Sequence, residues 1–145
     1  MRNNMTRLNF LEILIVILLF SHGFRELCRG IFWTKEQEKV LSDSDFYVAL
    51  DQLMPIWLWG LSLVVFGLMI ILASVFVTSY RYNNNCATLL FAGGFGSFIV
   101  YLFLTSGSMY NSINWLTTAQ LGIMAGTSLI LSFIGGVRLI AKRKR

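Results

Sequence analysis

Glu12 stands about one turn inside an apolar run that begins at Leu8. A carboxylate there must reach an interface, take up a proton or find a cation, because hydrocarbon solvates the ionised form poorly. Arg138 occupies the corresponding end of the last apolar stretch. The two are therefore a candidate intramembrane ion pair joining the first and last helices; snorkelling of Glu12 to the interface and an ion or proton pathway are the alternatives. His22 is the single histidine, and imidazole can titrate near neutrality. Its place near the end of the first apolar run favours an interfacial polar residue packed on the following segment over a pH sensor.

Other reactive groups form no recognised constellation. Ser21 beside His22 is a local pair, and adjacency in sequence sets no catalytic geometry. Asp43, Asp45 and Asp51 lack the ligand spacing and glycine of an EF-hand loop, and no H-E-x-x-H occurs. The only cysteines, Cys28 and Cys86, form no C-x-x-C or Cys/His cluster. No catalytic, cofactor-binding or metal-binding residue is expected, and the chain reads as a protein that is not an enzyme. The topology below puts the two cysteines on opposite sides of a bilayer, so they are expected to be unpaired with each other.

The elements that must carry these residues are membrane helices. Of 145 residues, 56% are apolar and 13% charged, against about a quarter charged in soluble domains; the mean hydropathy is +0.67. Between Met54 and Arg81 no side chain is charged, and 55–78 is long enough to cross a hydrocarbon core of about 30 Å. Further spans are expected at 8–24, 87–105 and 119–140. The run at 8–24 imitates a secretion signal, but Glu12 and the poor cleavage site Ser21-His22-Gly23 favour a retained helix. The expected fold is thus an all-α integral membrane protein of four transmembrane helices, with a short extracellular amphipathic helical cap at 25–54 between the first two.

Within the cap, Thr34 and Gln37 have capping-box spacing, and a short helix is expected to stop at Ser42-Asp43-Ser44. Asp45 is expected to cap a second helix burying Phe46, Leu50 and Leu53. Trp33, Trp57, Trp59, Tyr80, Tyr82 and Trp115 read as interfacial rings. Small residues mark the packing faces: Gly60, Gly67 and Ser74 at steps of seven, then Ala92 with Gly96, Gly93 with Ser97, and Gly122 with Gly126 at steps of four. These faces serve contacts inside the chain or between subunits.

Charge sets the orientation. With four spans, Arg2, Arg7, Arg81, Arg138 and Lys142 to Arg145 share one side, and the opposite side holds four cations with six acids. The positive-inside rule then places both termini in the cytoplasm of a multi-pass cytoplasmic-membrane protein. The lipid bilayer is the first partner, with anionic headgroups at the basic C-terminal tail; specific nucleic-acid binding is not expected. In size and economy the chain resembles phage-encoded lysis and exclusion proteins and small accessory or immunity proteins, a likeness of architecture that transfers no residue and no activity. The expected function is that of a non-enzymatic bacterial or phage membrane protein acting through homo-oligomers or another membrane protein. The alternative is a holin-like or channel-forming oligomer.

Overall fold

A computed structural model describes residues 10–77, 84–111 and 114–143. Among them the chain forms six helices and no strand: α1 Phe10–Lys35, α2 Gln37–Asp43, α3 Asp45–Leu53, α4 Ile56–Phe76, α5 Asn84–Asn111 and α6 Trp115–Arg143. Three segments, Ile56–Phe76, Asn84–Asn111 and Trp115–Ala141, are long and apolar enough to cross a bilayer. The chain is thus a candidate multi-pass membrane protein. α1 has the length but carries Arg25, Glu26 and Arg29 in its second half.

The helices differ from the expected spans mainly at their ends. α1 does not stop at Phe24: no proline or asparagine interrupts 24–35, and the Thr34 hydroxyl donates to the Gly30 carbonyl at 2.8 Å instead of opening a new helix. Residues 25–35, expected in the cap, therefore continue the first helix. α5 likewise runs past Thr105, because its late hydroxyls bond back to the preceding turn, Thr105 to Tyr101 O at 2.7 Å and Ser106 to Leu102 O at 2.9 Å. α6 begins four residues before its expected start, where Asn114 Oδ1 accepts from the Thr117 amide at 3.1 Å.

α2 and α3 are what remains of the cap. Ser44, not Asp45, caps α3, its hydroxyl oxygen accepting from the Phe46 amide at 3.2 Å. Phe46 and Leu50 are buried, whereas Leu53 is exposed. Pro55 precedes α4, and Asp51 on α3 accepts from the first α4 amide, Ile56 N, at 2.8 Å. Trp59 and Trp33, expected at an interface, are buried within the protein: Trp59 Nε1 donates to Leu50 O at 3.3 Å, and Trp33 meets Tyr47 edge-on. Trp57 and Trp115 are exposed. Tyr80 and Tyr82 lie outside the described residues.

Packing is most extensive between α1 and α4 and between α5 and α6, with α4 against α5 joining the pairs. The first pairing depends on glycine. A Cβ at Gly30 would stand 2.5 Å from Gly60 O, and one at Gly23 2.7 Å from Gly67 O, so only bare backbones permit this approach. Ser74, one heptad on, is buried and bonds its own helix at Ile71 O. Two apolar cores result. One gathers Trp33, Phe46, Leu50, Trp59, Leu63 and Leu104 beneath α2 and α3, and the other gathers Leu19, Ile70, Ala73, Cys86 and Leu90 towards the opposite end.

Candidate functional site

A polar layer separates the two cores. On α1, His22 and Glu26 fall between Leu19 of one core and Trp33 of the other; on α5, Ser97 falls between Leu90 and Val100; on α6, Ser128 falls between Ala125 and Leu131. Ser97 and Ser128 are close to the midpoints of their helices.

These four side chains are buried and meet one another. Ser97 Oγ donates to Glu26 Oε2 at 2.6 Å, and His22 Nε2 stands 3.1 Å from Glu26 Oε1 and 3.2 Å from Ser128 Oγ. Glu26 and Ser97 have no exposed surface, and His22 is 5% exposed. His22 and Glu26 reach each other because they are one helical turn apart, at i and i+4. Gly67 makes room for the acid, since a Cβ there would come within 3.1 Å of Glu26 Cβ.

The arrangement poses a proton question. Nε2 faces two oxygens and can carry one proton, so it either donates to the carboxylate or accepts from a hydroxyl. A bare Nε2 lone pair facing an ionised Oε1 would be repulsive. The hydrogen bond that Nε2 makes is the one with Ser128 Oγ, and Glu26 Oε1 stands beside the ring without a hydrogen-bond partner among the described residues. One turn further along α1, the Arg29 guanidinium carbon lies 5.9 Å from the Tyr101 ring centroid, a cation–π distance. Like Glu26 Oε1, Arg29 Nη1 and the Tyr101 hydroxyl are buried without a hydrogen-bond partner among the described residues.

A groove of about 500 Å³ opens between α1 and α6, lined by Leu18, Ser21, His22, Arg25, Thr127 and Leu131 among others. It exists because α1 is paired chiefly with α4, and α6 with α5, so the two outer helices leave a gap. His22 thus belongs both to the buried layer and to the groove wall.

Glu12 is partly buried in the first turn of α1 and Arg138 partly buried late in α6. Glu12 precedes His22 by ten residues and Arg138 follows Ser128 by ten. α1 and α6 run in opposite directions, so both residues lie about 15 Å from the polar layer towards the same end. Among the small residues, Gly93 faces Met69, Gly96 faces the Phe66 ring, and Ala92 is partly buried. The tight α5–α6 contact falls instead on Gly94 and Gly135, whose Cβ atoms would stand 2.7 Å from Ser132 N and 2.6 Å from Phe91 N. Gly122 has only an ordinary contact with Thr105, at 3.7 Å, and Gly126 has nothing within 4 Å. Cys28 is exposed and Cys86 buried, both as free thiols.

Neither protein-family models, nor curated proteins, nor solved structures yield a match to this chain. A functional reading rests on its own residues. The Glu26 constellation escapes sequence reasoning because an acid flanked by Arg25 and Arg29 reads as an interfacial loop residue. Its only sequence signal is the i, i+4 step from His22 across a stretch with no helix breaker.

Proposed function

We propose that the chain is a small non-enzymatic membrane protein, bacterial or phage-borne, that acts by assembling with itself or with another membrane component through the outer face of α6. Gly126 carries this reading: open space surrounds it, and it stands in line with Ile123, Ile130 and Phe133, which are 66%, 60% and 70% exposed. In lipid, helices associate largely by close packing, and a glycine in such a stripe lets a second backbone approach.

In this reading α1 is a fourth crossing. Its 26 residues rise about 39 Å. Glu26 faces inward, while Phe20, Phe24, Ile31 and Phe32 face outward. Both termini then share the cytoplasmic side with the basic C-terminal residues, where anionic headgroups are available, and α2 and α3 form the outward surface. A bridge from Glu12 to Arg138 joins α1 and α6 at the inner end.

The test is the mass of the protein in nanodiscs cut directly from membranes, for the natural chain and for Gly126→Leu. A defined multimer, or a constant complex with a second protein, that dissociates in the variant with helicity retained supports the proposal. A monomer throughout, or an assembly indifferent to the substitution, rejects it. The buried polar layer favours a second reading, a conducting oligomer, which requires single-channel conductance from the purified protein in planar bilayers.

A further inference from the structure

We propose that His22 and Glu26 form one proton-binding site at mid-depth in the helix bundle, loaded through the groove between α1 and α6. The inference goes beyond the assembly reading and does not depend on it, because all the groups involved belong to a single chain.

Three observations carry the proposal. First, Nε2 bonds the Ser128 hydroxyl at 3.2 Å and stands 3.1 Å from Glu26 Oε1, a fully buried carboxylate oxygen without a hydrogen-bond partner among the described residues, so a positive charge on the ring is what would compensate that oxygen. Second, the other carboxylate oxygen is already engaged, since Ser97 donates to Oε2 at 2.6 Å, which leaves Oε1 as the oxygen that faces the ring. Third, His22 lines the groove, whereas Glu26 lies behind it with no exposed surface. The imidazole is the entrance and the carboxylate the counter-charge. Arg25 and Ser21 on the groove wall draw water into an otherwise apolar cleft, as cationic side chains do within a bilayer.

The surrounding charges set what the site must overcome. From α1 itself, Arg25 and Arg29 oppose a further positive charge. Arg25 is exposed on the groove wall and Arg29 is directed to the Tyr101 ring. α5 contributes Ser97 and the Tyr101 phenol, α6 contributes Ser128 and Thr127, and α4 carries no ionisable side chain between Ile56 and Phe76. Among the described residues Glu26 is therefore the one anion in contact with the imidazole. On loading, a hydronium ion in the groove gives its proton to the Nδ1 lone pair, one O–H bond breaks, one N–H bond forms and a water departs. Nε2 keeps its own proton, giving an imidazolium beside the Glu26 carboxylate.

The chain has one histidine, so NMR of the ring nitrogens in nanodiscs loaded with histidine-labelled protein reads this site alone. The expected result is a reversible pH titration of both nitrogens. Glu26→Gln lowers the midpoint by at least one pH unit, a tenfold loss of proton affinity, because the counter-charge is gone. Ser97→Ala moves it upward, because Oε2 loses its donor and the carboxylate becomes a stronger base; this milder variant decides the matter if Glu26→Gln fails to fold. Ring resonances unchanged from pH 4 to 9, or a midpoint that neither variant moves, overturn the site. Leu131→Trp fills the groove and slows proton exchange while leaving the midpoint in place; exchange as fast as in the natural chain overturns the route.

Discussion

A carboxylate without exposed surface loses several kcal/mol of hydration, and Glu26 recovers part of it through a short hydroxyl hydrogen bond to Oε2, with the imidazole 3.1 Å from Oε1. Charge-assisted hydrogen bonds of this kind contribute roughly 1.5–3 kcal/mol. Ser97→Ala is expected to destabilise the protein by about that amount in equilibrium unfolding in lipid or mild detergent. Because both side chains serve one network, Ser97→Ala and Glu26→Gln together should cost less than the sum of the two, with a coupling on the order of 1 kcal/mol. Strict additivity would show that the 2.6 Å contact stores no interaction energy.

The α1–α4 pair is held at backbone distance by Gly23, Gly30, Gly60 and Gly67. Gly30→Ala puts a methyl group 2.5 Å from the Gly60 carbonyl and 2.8 Å from the Val64 amide, so the helices must part. A cost of roughly 1–3 kcal/mol is expected, read as a lowered unfolding midpoint; an unchanged midpoint would mean the crossing is looser than described. The α3 element offers a pH test. Burial raises the Tyr47 phenol above its usual value near 10, Arg29 opposes this and Asp43 adds to it. The folded chain thus holds this proton more tightly than the unfolded one. Its contribution is complete below pH about 10 and is lost as pH rises through the raised folded value. Tyr47→Phe should therefore lose less thermal stability between pH 9 and 11 than the natural protein, and parallel losses would refute the assignment.

Over the whole molecule, the major contacts form a row, α1 to α4 to α5 to α6, and the two outer helices meet across the polar layer through His22 and Ser128. Glycines on α6 consequently have opposite duties. Gly135 abuts the Phe91 amide, while Gly126 faces open space. Gly135→Leu is expected to lower yield and thermal stability of the monomer itself. Gly126→Leu should leave monomer melting within about 0.5 kcal/mol of the natural chain while dissociating any assembly. Equal effects on folding from both would contradict the division between an inner and an outer face.

Hydropathy alone located α4, α5 and α6, because three uninterrupted apolar stretches have no other use for their backbone hydrogen bonds than helices. Phe46 and Leu50 were legible from their four-residue spacing, and Gly60 and Gly67 stood out as a heptad of small residues. Composition could not tell that Gly60 and Gly67 face α1, or that Gly126 faces outward, since a glycine reads the same on either side of a helix. Nor could it place Glu26. Charge statistics assign an acid between two arginines to an interfacial loop, yet helix continuity through Lys35 carries it inward against Ser97, a residue 71 positions away. Local sequence sets which segments coil and which are apolar. Which polar groups share a buried layer depends on helix rotation and pairing, and these were decided by backbone contacts between glycines far apart in the chain.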